Sequence, residues 1–111
     1  MDEWVNLSTF RDIASEDEFS ILETIQNFRF IILILGTSGN ASAGLDTITI
    51  PTSAIVHVSN QFCKVHHHYG IEDWASEVQM GFISNTEFKV LVANNKTDYK
   101  VALSIYGYMR K

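Results

Sequence analysis

The chain has 111 residues, thirteen acidic against eight basic side chains and a net charge of −5, which suits one domain able to bury its own core without a disulfide or a structural metal. The basic residues are scattered instead of forming a stripe, so a phosphate backbone would be repelled and no nucleic-acid partner is expected. The single cysteine, Cys63, cannot form an internal bridge and reads as a small buried hydrophobe.

Met1-Asp2-Glu3-Trp4 carries acid where a signal peptide carries base, and no apolar segment comes after it. The longest apolar run is too short to cross a bilayer. The expectation is a protein made in the cytoplasm without a signal peptide and not inserted in a membrane.

The first strand is predicted from Trp4 to Phe10. Arg11 to Glu18 then turns polar, and its closing Glu16-Asp17-Glu18 reads as a solvated loop. Two readings compete for the segment from Phe19 to Phe28. The preferred one makes Phe19 to Leu22 a short strand and Glu23 to Asn27 a bend or a single helical turn. The rival takes Ser15-x-x-Glu18 as a capping box, with Phe19, Leu22 and Ile25, or Ile21, Ile25 and Phe28, as the apolar side of a helix.

From Phe28 to Leu35 only Arg29 interrupts the apolar residues. Such a strand belongs at the centre of the fold, with one face covered by an opposing sheet and the other by a loop or a partner surface. Thr37 to Gly44 reads as a small-residue loop. Thr47 to Ile50 is the next strand, ended by Pro51, which cannot donate to a ladder. Ser53 to Phe62 is mixed and holds a turn.

Lys64 to Tyr69 alternates, with Val65, His67 and Tyr69 on one face and Lys64, His66 and His68 on the other. Val78, Met80 and Phe82 share one side of the following strand. Phe88, Val90 and Val92 share one side of the strand after Ser84-Asn85-Thr86. Asn94 to Asp98 is a polar hairpin turn. The last strand points Tyr99, Val101, Leu103 and Ile105 inward and leaves Tyr106 and Tyr108 on an outer face that needs cover. About eight to nine short strands make an all-β domain over residues 1–111, an antiparallel β-sandwich of jelly-roll-like or Greek-key kind.

Gly70-Ile71-Glu72-Asp73-Trp74 reads as an exposed connection with an indole beside two carboxylates. A sugar ring stacks its C–H face on indole while carboxylates accept from its hydroxyls, so Trp74, Asp73 and Glu72 are the candidate saccharide contact, extended by Tyr69 and His68. The alternative is that Trp74 plugs the sandwich end. The N-x-Ser/Thr triplets at Asn6, Asn40 and Asn95 read as loop composition. The sequence has no Gly-x-Ser-x-Gly turn, phosphate-cradling glycine loop or His-Glu-x-x-His helix, and its acidic pairs are those any acidic chain offers. A non-catalytic protein is expected.

Taken in order, several features form a pattern: Trp4, the strand, bend and strand of Phe19 to Phe28, and the apolar run to Gly36. The small-residue loop, Ile48-Thr49-Ile50-Pro51 and the terminal Ile105-Tyr106-Gly107-Tyr108 complete it. From Trp4 to Tyr108 the chain resembles the C-terminal receptor-binding or tip domains of tail fibres of tailed bacteriophages and prophages. The resemblance implies a homotrimeric sandwich in the virion that attaches to a bacterial surface polysaccharide or teichoic acid. The alternative is a structural virion or appendage assembly protein that binds other virion proteins and no receptor.

Such domains come after a shaft, and the sequence has no heptads or collagen-like triplets. A fragment of a longer fibre and a stand-alone appendage piece both fit. Threefold symmetry would bring His66 and His68 of each copy around one axis, six nitrogens for an octahedral metal ion, and some phage fibre tips hold iron with a His-x-His pair. The other reading of the three histidines is an exposed strand face. No other cofactor is expected.

Overall fold

The apolar run that begins at Phe28 forms the middle of the fold. In a computed structural model, which describes residues 3–39, 46–55, 63–68, 75–94 and 99–111, it is strand β3 (Phe28–Gly39). The other strands are β1 (Trp4–Ile13), β2 (Glu16–Ser20), β4 (Asp46–Pro51), β5 (Cys63–His68), β6 (Ala75–Phe82), β7 (Glu87–Asn94) and β8 (Tyr99–Arg110). They form two four-stranded antiparallel sheets, ordered β1-β8-β3-β4 and β2-β7-β6-β5. The chain is thus an all-β sandwich. Its first two strands lie beside its last two, β1 against β8 and β2 against β7, the long-range pairing of Greek-key winding.

Alternation builds the core. Ile31, Leu33 and Leu35 of β3 and Val101, Leu103 and Ile105 of β8 point inward from one sheet; Val78, Met80, Phe82, Phe88, Val90 and Val92 meet them from the other. All are buried, and each side chain of this size contributes on the order of 1.5–3 kcal/mol when removed from water. At one margin Arg11 of β1 joins the sheets: its guanidinium lies 4.4 Å from the centre of the Phe19 ring and 3.2 Å from the Asp17 carboxylate of β2.

The strand that holds Phe19 ends at Ser20, short of the expected Leu22, and the chain then bends at Leu22 and Glu23 and makes a single 3-10 turn at Ile25–Asn27. This is the strand-and-turn reading, not the helix. The backbone makes the choice by finding long-range partners: the Ile21 N–H donates to the Thr86 carbonyl at 2.7 Å and the Ile25 N–H to the Asn85 carbonyl at 3.0 Å.

Other boundaries also differ from the sequence reading. The first strand continues past Phe10 to Ile13. The acidic Glu16-Asp17-Glu18 lies in β2 instead of a loop, because Lys89 on β7 faces it, with its ammonium 3.0 Å from Glu16 and 3.5 Å from Glu18. Those carboxylates in turn hold Lys89 above its usual pKa, chiefly through the hydrogen bond to Glu16. Thr37, Ser38 and Gly39 extend β3, paired with Val101, Lys100 and Tyr99 of β8. The rest of the expected small-residue loop, the turn between Ser53 and Phe62 beyond Ile55, and residues 95–98 of the expected hairpin lie outside the described residues. Among the described residues no helix is long and apolar enough to cross a membrane.

Candidate functional site

The two outer faces of the sandwich differ in chemistry. On the β2-β7-β6-β5 sheet the outward positions carry Glu16, Glu18, Lys89, Gln79 and Glu77, with Leu91 among them. That is an ordinary solvated face. The outer face of the other sheet is aromatic and aliphatic.

Register explains how that face is assembled. Trp4 pairs with Tyr108, Tyr108 with Phe30, and Phe30 with Pro51, so one cross-strand row of apolar side chains crosses all four strands. The next row is Asn6, Tyr106, Ile32 and Thr49, and beyond it lie Ser104, Ile34 and Thr47. Directly opposed residues in an antiparallel pair share a face and touch. Accordingly the indole of Trp4 packs at 5.4 Å from the Tyr106 ring and 6.2 Å from Tyr108, and Phe30 lies 6.4 Å from Tyr108. Such aromatic pairs contribute about 0.5–1.5 kcal/mol beyond area burial.

This outer face is only partly covered. Ile32 is 3% exposed beneath its neighbours, whereas Trp4 is 51% exposed and Pro51 is exposed; Phe30, Ile34, Tyr106 and Tyr108 are half-buried. The rings are inclined to one another by 43° to 71°. They therefore do not form a flat track for an extended polymer, and they offer separate ring faces and phenol hydroxyls to something that docks between them.

At one end the row runs into an open depression of about 480 Å³ lined by Arg29, Phe30, Pro51, Thr52, Ser53, Met109 and Lys111. Thr52 fixes its wall. Its buried hydroxyl lies 2.7 Å from the Phe28 carbonyl and 3.1 Å from the Arg29 carbonyl, to which it donates. On the opposite wall Met109 has φ of 60°, a left-handed conformation rare for a side chain of this size. Next to it Arg110, paired in register with Phe28, stacks 4.8 Å from the Phe28 ring centre, and its guanidinium grips Glu23. The hydrogen bond from Arg110, then one from Asn27, holds the Glu23 carboxyl below its usual pKa.

The residues singled out by sequence fall elsewhere. Tyr69, Glu72, Asp73 and Trp74 lie outside the described residues. His66 and His68 are on β5, an edge strand, opposite Glu77 and Ala75 of β6. Among the described residues no three His, Cys, Asp or Glu side chains are grouped to hold a metal ion. Sequence reading placed Tyr106 and Tyr108 on an outer face but did not join them to Trp4 and Phe30. The signal was the even-numbered series Phe30, Ile32, Ile34, which becomes readable once β3 is known to lie beside β8.

The chain matches no protein-family model, no curated protein and no solved structure.

Proposed function

We propose that this chain is a non-catalytic binding domain, the tip of a phage or prophage tail fibre, that holds a glycan of the bacterial surface on the outer aromatic face of its β1-β8-β3-β4 sheet. The observation that carries this reading is the row Trp4, Tyr108, Phe30, Pro51, left open to solvent at Trp4 and Pro51 on a sandwich whose other outer face is charged. Sugar rings present C–H faces that stack on aromatic side chains, and the Tyr106 and Tyr108 hydroxyls supply the polar partners such a contact needs. The row binds by contact and hydrogen bonding. The segment around Trp74, with Tyr69, Glu72 and Asp73, is proposed as a further part of the receptor surface.

The tail-fibre reading brings with it a homotrimer carried on the virion, with the His66 and His68 pairs around the trimer axis as a metal site. A second reading makes the aromatic face an assembly surface, buried against another copy or another virion protein. The half-buried Ile34 beyond the aromatic row favours it, since it carries the apolar surface past the rings on which a sugar would stack.

The discriminating experiment compares the unaltered chain and Trp4→Ala on an array of bacterial surface glycans, with light scattering of both. Loss of glycan binding with the same particle mass supports the receptor reading. A blank array, together with a fall in particle mass for Trp4→Ala, would transfer the face to assembly.

A further inference from the structure

We propose that the depression at the end of the aromatic row is a subsite for an anionic group, a carboxylate or phosphate carried by the bound saccharide. This rests on the glycan reading of the row and adds the charge of the ligand to it.

The chain is acidic overall, with a net charge of −5, and three of its described cations are matched to carboxylates. Arg11 is held by Asp17, Lys89 by Glu16 and Glu18, and Arg110 by Glu23. Arg29 and Lys111 have no carboxylate partner among the described residues, yet both line the same depression. Lys100, also unpaired among them, stands at the opposite end of β8, where its partner in register is Ser38.

Arg29 is the single charge in the apolar run Phe28 to Leu35, and it is exposed. Its main chain is fixed by Thr52, whose hydroxyl donates to the Arg29 carbonyl. The main chain of Lys111 is fixed too, its N–H donating to the Asn27 carbonyl at 2.9 Å.

A guanidinium forks onto a carboxylate or phosphate, and an ammonium adds a point charge. The exposed hydroxyl of Ser53, which has no protein partner among the described residues, supplies a neutral donor at the same rim. Phe30 and Pro51 belong both to the aromatic row and to the depression. A sugar seated on the row therefore has its acidic substituent beside Arg29 and Lys111.

The test is amide-resolved NMR titration of the full chain with glucuronate and glycerol phosphate, against glucose and glycerol as their neutral counterparts. The expected result is movement of the Arg29, Thr52, Ser53 and Lys111 resonances with an anionic probe alone, weakened about tenfold or more in the double variant Arg29→Gln, Lys111→Gln. Response to glucuronate but not glycerol phosphate assigns a carboxylate, and the reverse assigns a phosphate. Equal movement with the neutral probes, no movement with either anion, or an unchanged double variant overturns the subsite. Movement at Trp4 and Tyr106 with glucose but none at the depression with either anion sinks the subsite and leaves the glycan reading standing. Movement at the depression with anions, while no sugar shifts the aromatic row, does the opposite.

Discussion

The ring of Phe28 lies directly over the backbone of Gly107, so closely that a methyl group placed on that glycine would come within 2.5 Å of two ring atoms. Gly107 sits in the inward series of β8 that begins with Val101, Leu103 and Ile105, and its missing side chain is the space that Phe28 fills. Phe28 has no room to retreat: it is fully buried, with the Arg110 guanidinium stacked on it. Gly107→Ala is expected to lower stability by about 2–3 kcal/mol through overpacking, read as a reduced urea midpoint at unchanged slope. Combining it with Phe28→Leu should cost less than the sum of the two single changes, because one side chain then fits where the other was crowded. Strict additivity would show that the two positions do not share the space.

The single hydroxyl of Thr52 carries a comparable role for the backbone. Its one proton lies, in a buried position, between two carbonyls, that of Phe28 at 2.7 Å and that of Arg29 at 3.1 Å. Thr52→Val keeps the shape and removes the donor, and is expected to cost about 1–3 kcal/mol because it leaves buried acceptors short of a partner. Thr52→Ser restores the hydroxyl and should recover most of that loss in thermal melts. Equal destabilisation by both substitutions would point to packing of the methyl group instead.

Much of this architecture was legible in the sequence, and the reason is local. Ile31, Leu33 and Leu35, then Val78, Met80 and Phe82, then Phe88, Val90 and Val92 repeat with the two-residue period of a strand, and nothing nearby competes with that pattern. The features that were not legible depend on partners far along the chain. Glu16-Asp17-Glu18 looks like a solvated loop until Lys89 is placed opposite Glu18. Trp4 looks like a stray indole until β1 is laid beside β8, which sets it against Tyr106 and Tyr108. The aromatic face is thus a product of register between the first and last strands, and register between distant strands is not written in either one alone.

The grip of Arg110 on Glu23 predicts an acid-sensitive contribution to stability. Two guanidinium nitrogens lie 2.5 and 2.9 Å from the two carboxylate oxygens, and Asn27 adds a hydrogen bond at 3.0 Å. The folded chain therefore binds a proton at Glu23 less readily than the unfolded chain, whose carboxyl titrates near 4.5. Stability from this source is complete above that pH and is lost as the pH falls below it and through the lowered folded value. Glu23→Gln should thus be less stable than the unaltered chain at neutral pH, and the gap between their urea midpoints should narrow as the pH is taken below 4.5. A gap that persists in acid would show that something other than the ionised pair sets it.

Tyr108 is the residue on which the aromatic face turns, since its ring touches both Trp4 and Phe30. Removing the ring and removing only the hydroxyl should therefore separate organisation of the row from hydrogen bonding to a ligand. Tyr108→Ala takes away both ring contacts, about 0.5–1.5 kcal/mol each, and is expected to lower stability and, on the glycan reading proposed above, to abolish glycan binding together. Tyr108→Phe keeps the ring between Trp4 and Phe30, so its melting temperature should stay near that of the unaltered chain while glycan affinity drops by about tenfold, the scale of one hydrogen bond. Binding measured on the same glycans for both variants checks this. If Tyr108→Phe binds as the unaltered chain does, the hydroxyl faces no ligand, and the ring alone accounts for the contribution of this position.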